Sequence, residues 1–172
     1  MKPELEAEDI ELELEKLLGG PFGGSAHVGL LREVGWGDVS SGPGVYAVVG
    51  RWKVVPGFLP VSTGGRFKGK DPTVSVETLR AKWVDRASVL YVGKSIDLAT
   101  RIQALVDFGY GKPVAHWGGR YLWQLPEPER LVISWRRTER DDPASVETQV
   151  LRRFAEGFGG KLPFANLKGG KL

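Results

Sequence analysis

The chain has 172 residues, 41% of them hydrophobic and 26% charged. This suits one globular domain with a real core and excludes a disordered chain. There is no cysteine, and His27 and His116 are the two histidines. Disulfides, iron–sulfur clusters and thiolate zinc are excluded, a His-rich zinc site is disfavoured, and a metal would be a hard cation held by carboxylate and water. The net charge of +3 is uneven: residues 1–18 carry seven acids and two lysines, net −5, and the rest carry 22 basic and 14 acidic residues, net +8. A basic body fits a polyanionic partner, and it fits plain solubility as well.

No apolar run approaches the ~20 residues of a membrane span. The acidic N-terminus lacks the apolar core of a secretory signal, so a cytoplasmic protein with no membrane partner is expected.

The segment "PELEAEDIELELEKLLGG" predicts a helix ended by Gly19 and Gly20, with Ile10, Leu14, Leu17 and Leu18 on one stripe and Leu12 off it. Its "IELELEKL" also alternates, which leaves a strand open. Residues 19–43 are Gly- and Ser-rich, with a second short helix in "HVGLLREVGW". "GPGVYAVVG" reads as a turn feeding a strand over 45–49. Residues 50–88 are irregular, with a basic tip "GGRFKGK" and a helix in "TVSVETLRAKWVD". "VLYVG" is the next strand. A helix follows, capped by Ser95, with Asp97 in its first turn and Leu98, Ile102, Leu105 and Val106 buried. "RYLWQL" and "RLVISWRRT" read as two more strands. "DPASVETQVLRRFAEGFGG" is a helix capped by Asp142, with Pro143 at its first position and glycines after its end. The order predicts an α+β fold: a small mixed or antiparallel sheet flanked by helices. Residues 1–41 form a helical N-terminal arm, residues 42–172 the main domain, and residues 50–88 an insertion between the first two strands.

Several side chains could do chemistry. Glu147 shares a helix face with Leu151, Phe154 and Phe158. That position asks for a cation, a donor or a metal, unless the carboxylate sits at the stripe's edge and reaches water. Arg101 adjoins the stripe of Leu98 and Leu105. Its planar fork suits a phosphate, and a structural salt bridge equally. Lys94 stands at a helix start, where backbone N–H groups favour anions, or is a solvated turn residue. Tyr46 and Tyr91 fall in short strands beside glycine, where packing is the plainer role. Asn166, in "LPFANL", reads alone as a turn residue.

Taken in order, "GVY" at 44–46, "YVG" at 91–93, Lys94, Arg101, a helix glutamate at 147 and Asn166 resemble the GIY-YIG nuclease family. "YVGKSIDLATRI" is similar to the matching segment in the nuclease domain of the bacterial excision-repair incision subunit. The resemblance covers roughly residues 42–168. The chain departs from the family pattern in the forty or so residues between the two tripeptides, which bears on substrate geometry more than on chemistry. The resemblance implies a metal-dependent DNA endonuclease with one Mg²⁺ or Mn²⁺ held by Glu147. Arg101 would neutralise the scissile phosphate. Tyr91 would act as general base with its pKa lowered by Lys94, and Tyr46 is the runner-up for that role. Asn166 would hold the site's backbone or the substrate's. A stand-alone chain leans toward a restriction-type or mobile-element nuclease, and cutting both strands with one site per chain would favour a homodimer. The alternative is a catalytically inactive nucleic-acid-binding module on the same fold. Arg66, Lys68 and Lys70, at the insertion's basic tip, are candidate contacts to DNA phosphates.

Overall fold

A computed structural model describes residues 7–168. The fold is α+β, with a four-stranded antiparallel sheet in the order β1-β4-β2-β3. The strands are β1 (Gly24–His27), β2 (Gly44–Val49), β3 (Val89–Ser95) and β4 (Val132–Arg137). Among the described residues, no helix is long and apolar enough to cross a membrane.

Strand β2 is central, and all six of its residues are buried. Alternation therefore divides its side chains between two cores. Tyr46 and Val48 enter one core, with Leu90, Tyr91, Ile133 and Trp135. Helix α4 (Leu98–Gly109) covers that face with Leu98, Ile102, Leu105 and Val106. Val45, Ala47 and Val49 enter the other core, with Val89 and Val92. Helix α5 (Pro143–Gly157) covers that face with Val150, Leu151 and Phe154.

Helix α1 (Ala7–Leu18) lies on the α5 side, burying Ile10, Leu14 and Leu18 while Leu12 stays exposed. The helical reading of "IELELEKL" therefore holds, and Gly19 ends the helix with φ of 71°. Arg136 and Arg153 donate to the carbonyls of Leu18 and Leu17 at 2.6 and 2.9 Å. They satisfy two of the orphan acceptors at that helix end. The part of the acidic arm before Ala7, with Lys2, Glu4 and Glu6, lies outside the described residues.

Several expectations are corrected. The stretch read as a purely helical arm contributes β1, which pairs with β4. "GSAH" carries no β-branched run. What makes it a strand is a partner: Gly24 lies against the Trp135 ring, where a Cβ would come within 2.6 Å of Cζ2. Helix α2 (Val28–Val34) follows as expected. "RYLWQL" is not a strand but part of a 3₁₀ segment, Trp117–Gln124. It plugs the end of the first core, with Tyr121, Leu122 and Trp123 buried together, so alternation carried no information there. Ser95 does not cap α4. It closes the turn before the helix, accepting from the Asp97 N–H at 3.0 Å, and Asp97 takes the cap position. The Asp142 and Pro143 start of α5 stands as read, with Asp142 accepting from the Ser145 N–H at 3.0 Å. Val146 and Phe158 are only partly buried.

The insertion between β2 and β3 contains α3 (Val76–Lys82), capped by Ser75. Buried Gln124 fastens it to the core, accepting from the Val74 N–H and donating to the carbonyls of Leu59 and Val74.

Candidate active site

The β2–β3 register sets Tyr46 opposite Gly93 and Val48 opposite Tyr91. A Cβ at Gly93 would lie 2.4 Å from Tyr46 Cζ, so the missing side chain is what lets the Tyr46 ring lie across β3. The ring centroids of Tyr46 and Tyr91 are 6.0 Å apart. The segment after α4 brings in His116, fully buried, with Nε2 2.9 Å from the Tyr46 hydroxyl. Its ring packs edge-on against both tyrosines, at 6.4 and 5.9 Å. Arg101 rises from the first turns of α4 and donates to the Ala115 carbonyl at 2.9 Å. Its guanidinium is close enough to both tyrosine hydroxyls to pull their pKa values down.

Burial dominates these titrations. It drives Tyr46 well above the ordinary tyrosine value, and neighbouring Tyr91 adds to the rise. Tyr91 is raised less, because Arg101 and the Tyr46 hydroxyl oppose burial. His116 is lowered to about 3, first by burial and then by the Arg101 charge, so it is neutral at pH 7. The expectation that Lys94 would lower Tyr91 is therefore corrected: the opposing cation is Arg101.

Lys94 is engaged elsewhere. It stands opposite Val45, on the α5 face, and its ammonium donates to Glu147 Oε2 on α5. Glu147 thus meets one of the partners its helix face asks for, a cation. It is half-buried and ion-paired, at the rim of the apolar face. Its charge still reaches Tyr91, whose pKa it raises. Sequence reasoning missed this pairing because the two residues are 53 positions apart.

Asn166 is buried, and its amide accepts from the Val92 N–H and donates to the Val92 carbonyl, both at 2.9 Å. Strand β3 is an edge strand. The clamp satisfies its outer backbone groups as a fifth strand would, helped by the Ala165 N–H bond to the Leu90 carbonyl at 2.8 Å. It holds the backbone between Tyr91 and Gly93, so Asn166 is a scaffold for the site.

Tyr46, Tyr91 and Arg101 thus gather on one face around His116, Lys94 and Glu147 gather at the neighbouring rim, and Asn166 stands behind. His116 is the residue that sequence reasoning did not assign; no motif surrounds it, and only its rarity in the chain marked it. The basic tip is separate. Gly65 bonds its N–H to the Phe108 carbonyl at 2.7 Å, which puts Arg66, Lys68 and Lys70 beside the far end of α4 from Arg101. Arg66 is paired with Asp71 at 3.1 Å.

Among the described residues, no group of three His, Cys, Asp or Glu side chains gathers to hold a metal. A caged site is therefore not supported there. One partly exposed carboxylate still fits a hard cation whose remaining ligands are water and phosphate. No family model, curated protein or solved structure matches this chain.

Proposed function

We propose that this chain is a metal-dependent endonuclease of the GIY-YIG type, hydrolysing phosphodiester bonds in DNA. The observation that carries the reading is the convergence of Arg101 on two buried tyrosines, with a carboxylate close enough to act on Tyr91. A packing role would explain one buried tyrosine; it does not call for an arginine beside both hydroxyls.

In this reading Glu147 would hold Mg²⁺ or Mn²⁺, which would supply positive charge to the reacting phosphodiester. Arg101 binds the scissile phosphate through its free N–H groups. Tyr91 first gives its own proton to solvent, a loss that the Arg101 charge favours against burial, and its phenolate then takes the proton of the attacking water. Tyr46 stays protonated and orients it. Lys94 holds the Glu147 carboxylate in place. DNA approaching over a basic body would meet Arg66, Lys68 and Lys70 farther out. A restriction-type or mobile-element role, acting as a homodimer, is the form this reading takes.

The Lys94–Glu147 pair favours one second reading, a nucleic-acid-binding module without cleavage, because the lysine already neutralises the carboxylate. Incubating supercoiled plasmid with the protein in Mg²⁺ and in EDTA separates the two. Nicked or linear product in Mg²⁺ alone supports the nuclease. Retarded but intact plasmid in both supports the binding module.

A further inference from the structure

We infer that His116 is a positioning residue of this site, donating its Nε2 proton to the Tyr46 hydroxyl so that Tyr46 in turn donates to Tyr91. The inference rests on the nuclease reading for its purpose, but not for its geometry.

The Tyr46 hydroxyl has one proton, and His116 Nε2 lies 2.9 Å from its oxygen. Either atom could donate. Two observations decide the direction. First, His116 Nδ1 is buried and has no hydrogen-bond partner among the described residues. The ring is neutral, so one nitrogen carries a proton and the other a lone pair. A buried N–H without an acceptor is rarer and costlier than a lone pair without a donor. The proton therefore belongs on Nε2, where Tyr46 can accept it. His116's own carbonyl raises the ring's basicity slightly, yet forms no hydrogen bond with Nδ1.

Second, Arg101 sits beside both hydroxyls and can only donate. With His116 and Arg101 both directed at the Tyr46 oxygen, the Tyr46 proton has to point elsewhere. Tyr91, whose ring centroid lies 6.0 Å from that of Tyr46, is the neighbouring phenol on this face and the acceptor we assign to that proton. The chain runs His116 to Tyr46 to Tyr91. It leaves the Tyr91 oxygen receiving from Tyr46 and Arg101, which oppose the rise that burial imposes on Tyr91. His116 touches no reacting atom in this scheme. Its part is to fix which tyrosine can give up its proton.

The test is nitrogen NMR of the histidine rings in full-length ¹⁵N-labelled protein, with His27→Gln removing the other ring. At pH 7, without DNA or metal, the proton of His116 should be on Nε2. A proton on Nδ1 reverses the chain and overturns the proposal. A second measurement compares plasmid cleavage by His116→Gln and His116→Leu. Glutamine can still present an amide donor to Tyr46 and should keep most activity, whereas leucine should lose roughly tenfold, as expected for one buried hydrogen bond. Equal losses in both would also overturn it. If His116→Leu does not fold, the ring spectrum alone decides. If the unmodified protein cuts no DNA, the nuclease reading falls, and the spectrum still tests the direction of the bond.

Discussion

On the α4 face of the sheet, Tyr46, Tyr91 and His116 are buried together, with the Tyr46 hydroxyl against His116 Nε2 and the Arg101 charge acting on all three. On the α5 face, Val45, Ala47, Val49, Val89 and Val92 meet Val150, Leu151 and Phe154, and the charged pair Lys94–Glu147 is kept to the rim. Both faces share the same strands, so their difference is one of side-chain choice alone. Polar groups in a core cost free energy even when paired, whereas apolar burial stabilises by about 25 cal/mol per Å². The α5 face is almost wholly apolar, whereas the α4 face, with the larger core, also carries the polar cluster.

That contrast is best broken by mutations that should separate activity from folding. Glu147→Gln should abolish cation-dependent cleavage, the largest effect expected. Because Lys94 is 45% exposed and can turn to water, removing the pair should change stability by only about 0–1 kcal/mol. DNA binding should survive or tighten. Cleavage in Mg²⁺, a binding titration and a melting curve on this one variant check all three, and retained cleavage would reject the ligand role. Tyr91→Phe should slow cleavage by ~10²–10⁴-fold with little change in melting. Full activity in that variant would pass the base role to Tyr46 or to a metal-bound water.

Phe154→Ala asks the opposite of the α5 face. Phe154 is fully buried there, and its truncation should cost about 3–5 kcal/mol in denaturant unfolding while leaving the site's residues untouched. If this variant unfolds no more easily than the parent, the division of labour between the faces is mistaken.

A smaller effect should appear in acid. His116 titrates near 6.5 when unfolded and at about 3 when folded. The unfolded state therefore binds the extra proton, and stability falls as pH drops below 6.5, by up to about 1.4 kcal/mol per unit, until the folded pKa is reached. Burial is the first cause and Arg101 the second, with Tyr46 and Tyr91 the other titratable groups facing the ring. His116→Gln should flatten the acid limb between pH 6 and 4, as followed by urea unfolding at each pH; an unchanged limb would assign it to carboxylates. The smallest effect belongs to the insertion. Replacing Arg66, Lys68 and Lys70 with Ala should reduce the salt dependence of DNA binding by roughly one unit for each phosphate that these side chains neutralise. Since Arg66 is held by Asp71, its share should be the least of the three. An unchanged slope would make the tip a solvated loop.

The amino-acid sequence by itself determined the elements that carry the site. The β-branched run of β2, the Tyr91 strand, the apolar stripes of α4 and α5, and the Asp142–Pro143 helix start are local patterns, and local steric and capping preferences suffice to read them. It also supplied Tyr46, Tyr91, Lys94, Arg101, Glu147 and Asn166 as candidates. Tertiary structure alone decided what each one meets. His116 bonds Tyr46 across 70 residues, Lys94 takes Glu147 across 53, and Asn166 clamps Val92 across 74. Strand β1 and the 3₁₀ segment belong to the same class, since "GSAH" becomes a strand by docking on β4 and "RYLWQL" becomes a plug by filling a core. The physical reason is common to all of them. A periodic pattern records which side of an element faces the core, but a hydrogen bond or an ion pair depends on which distant atom arrives there, and only the packed chain specifies that.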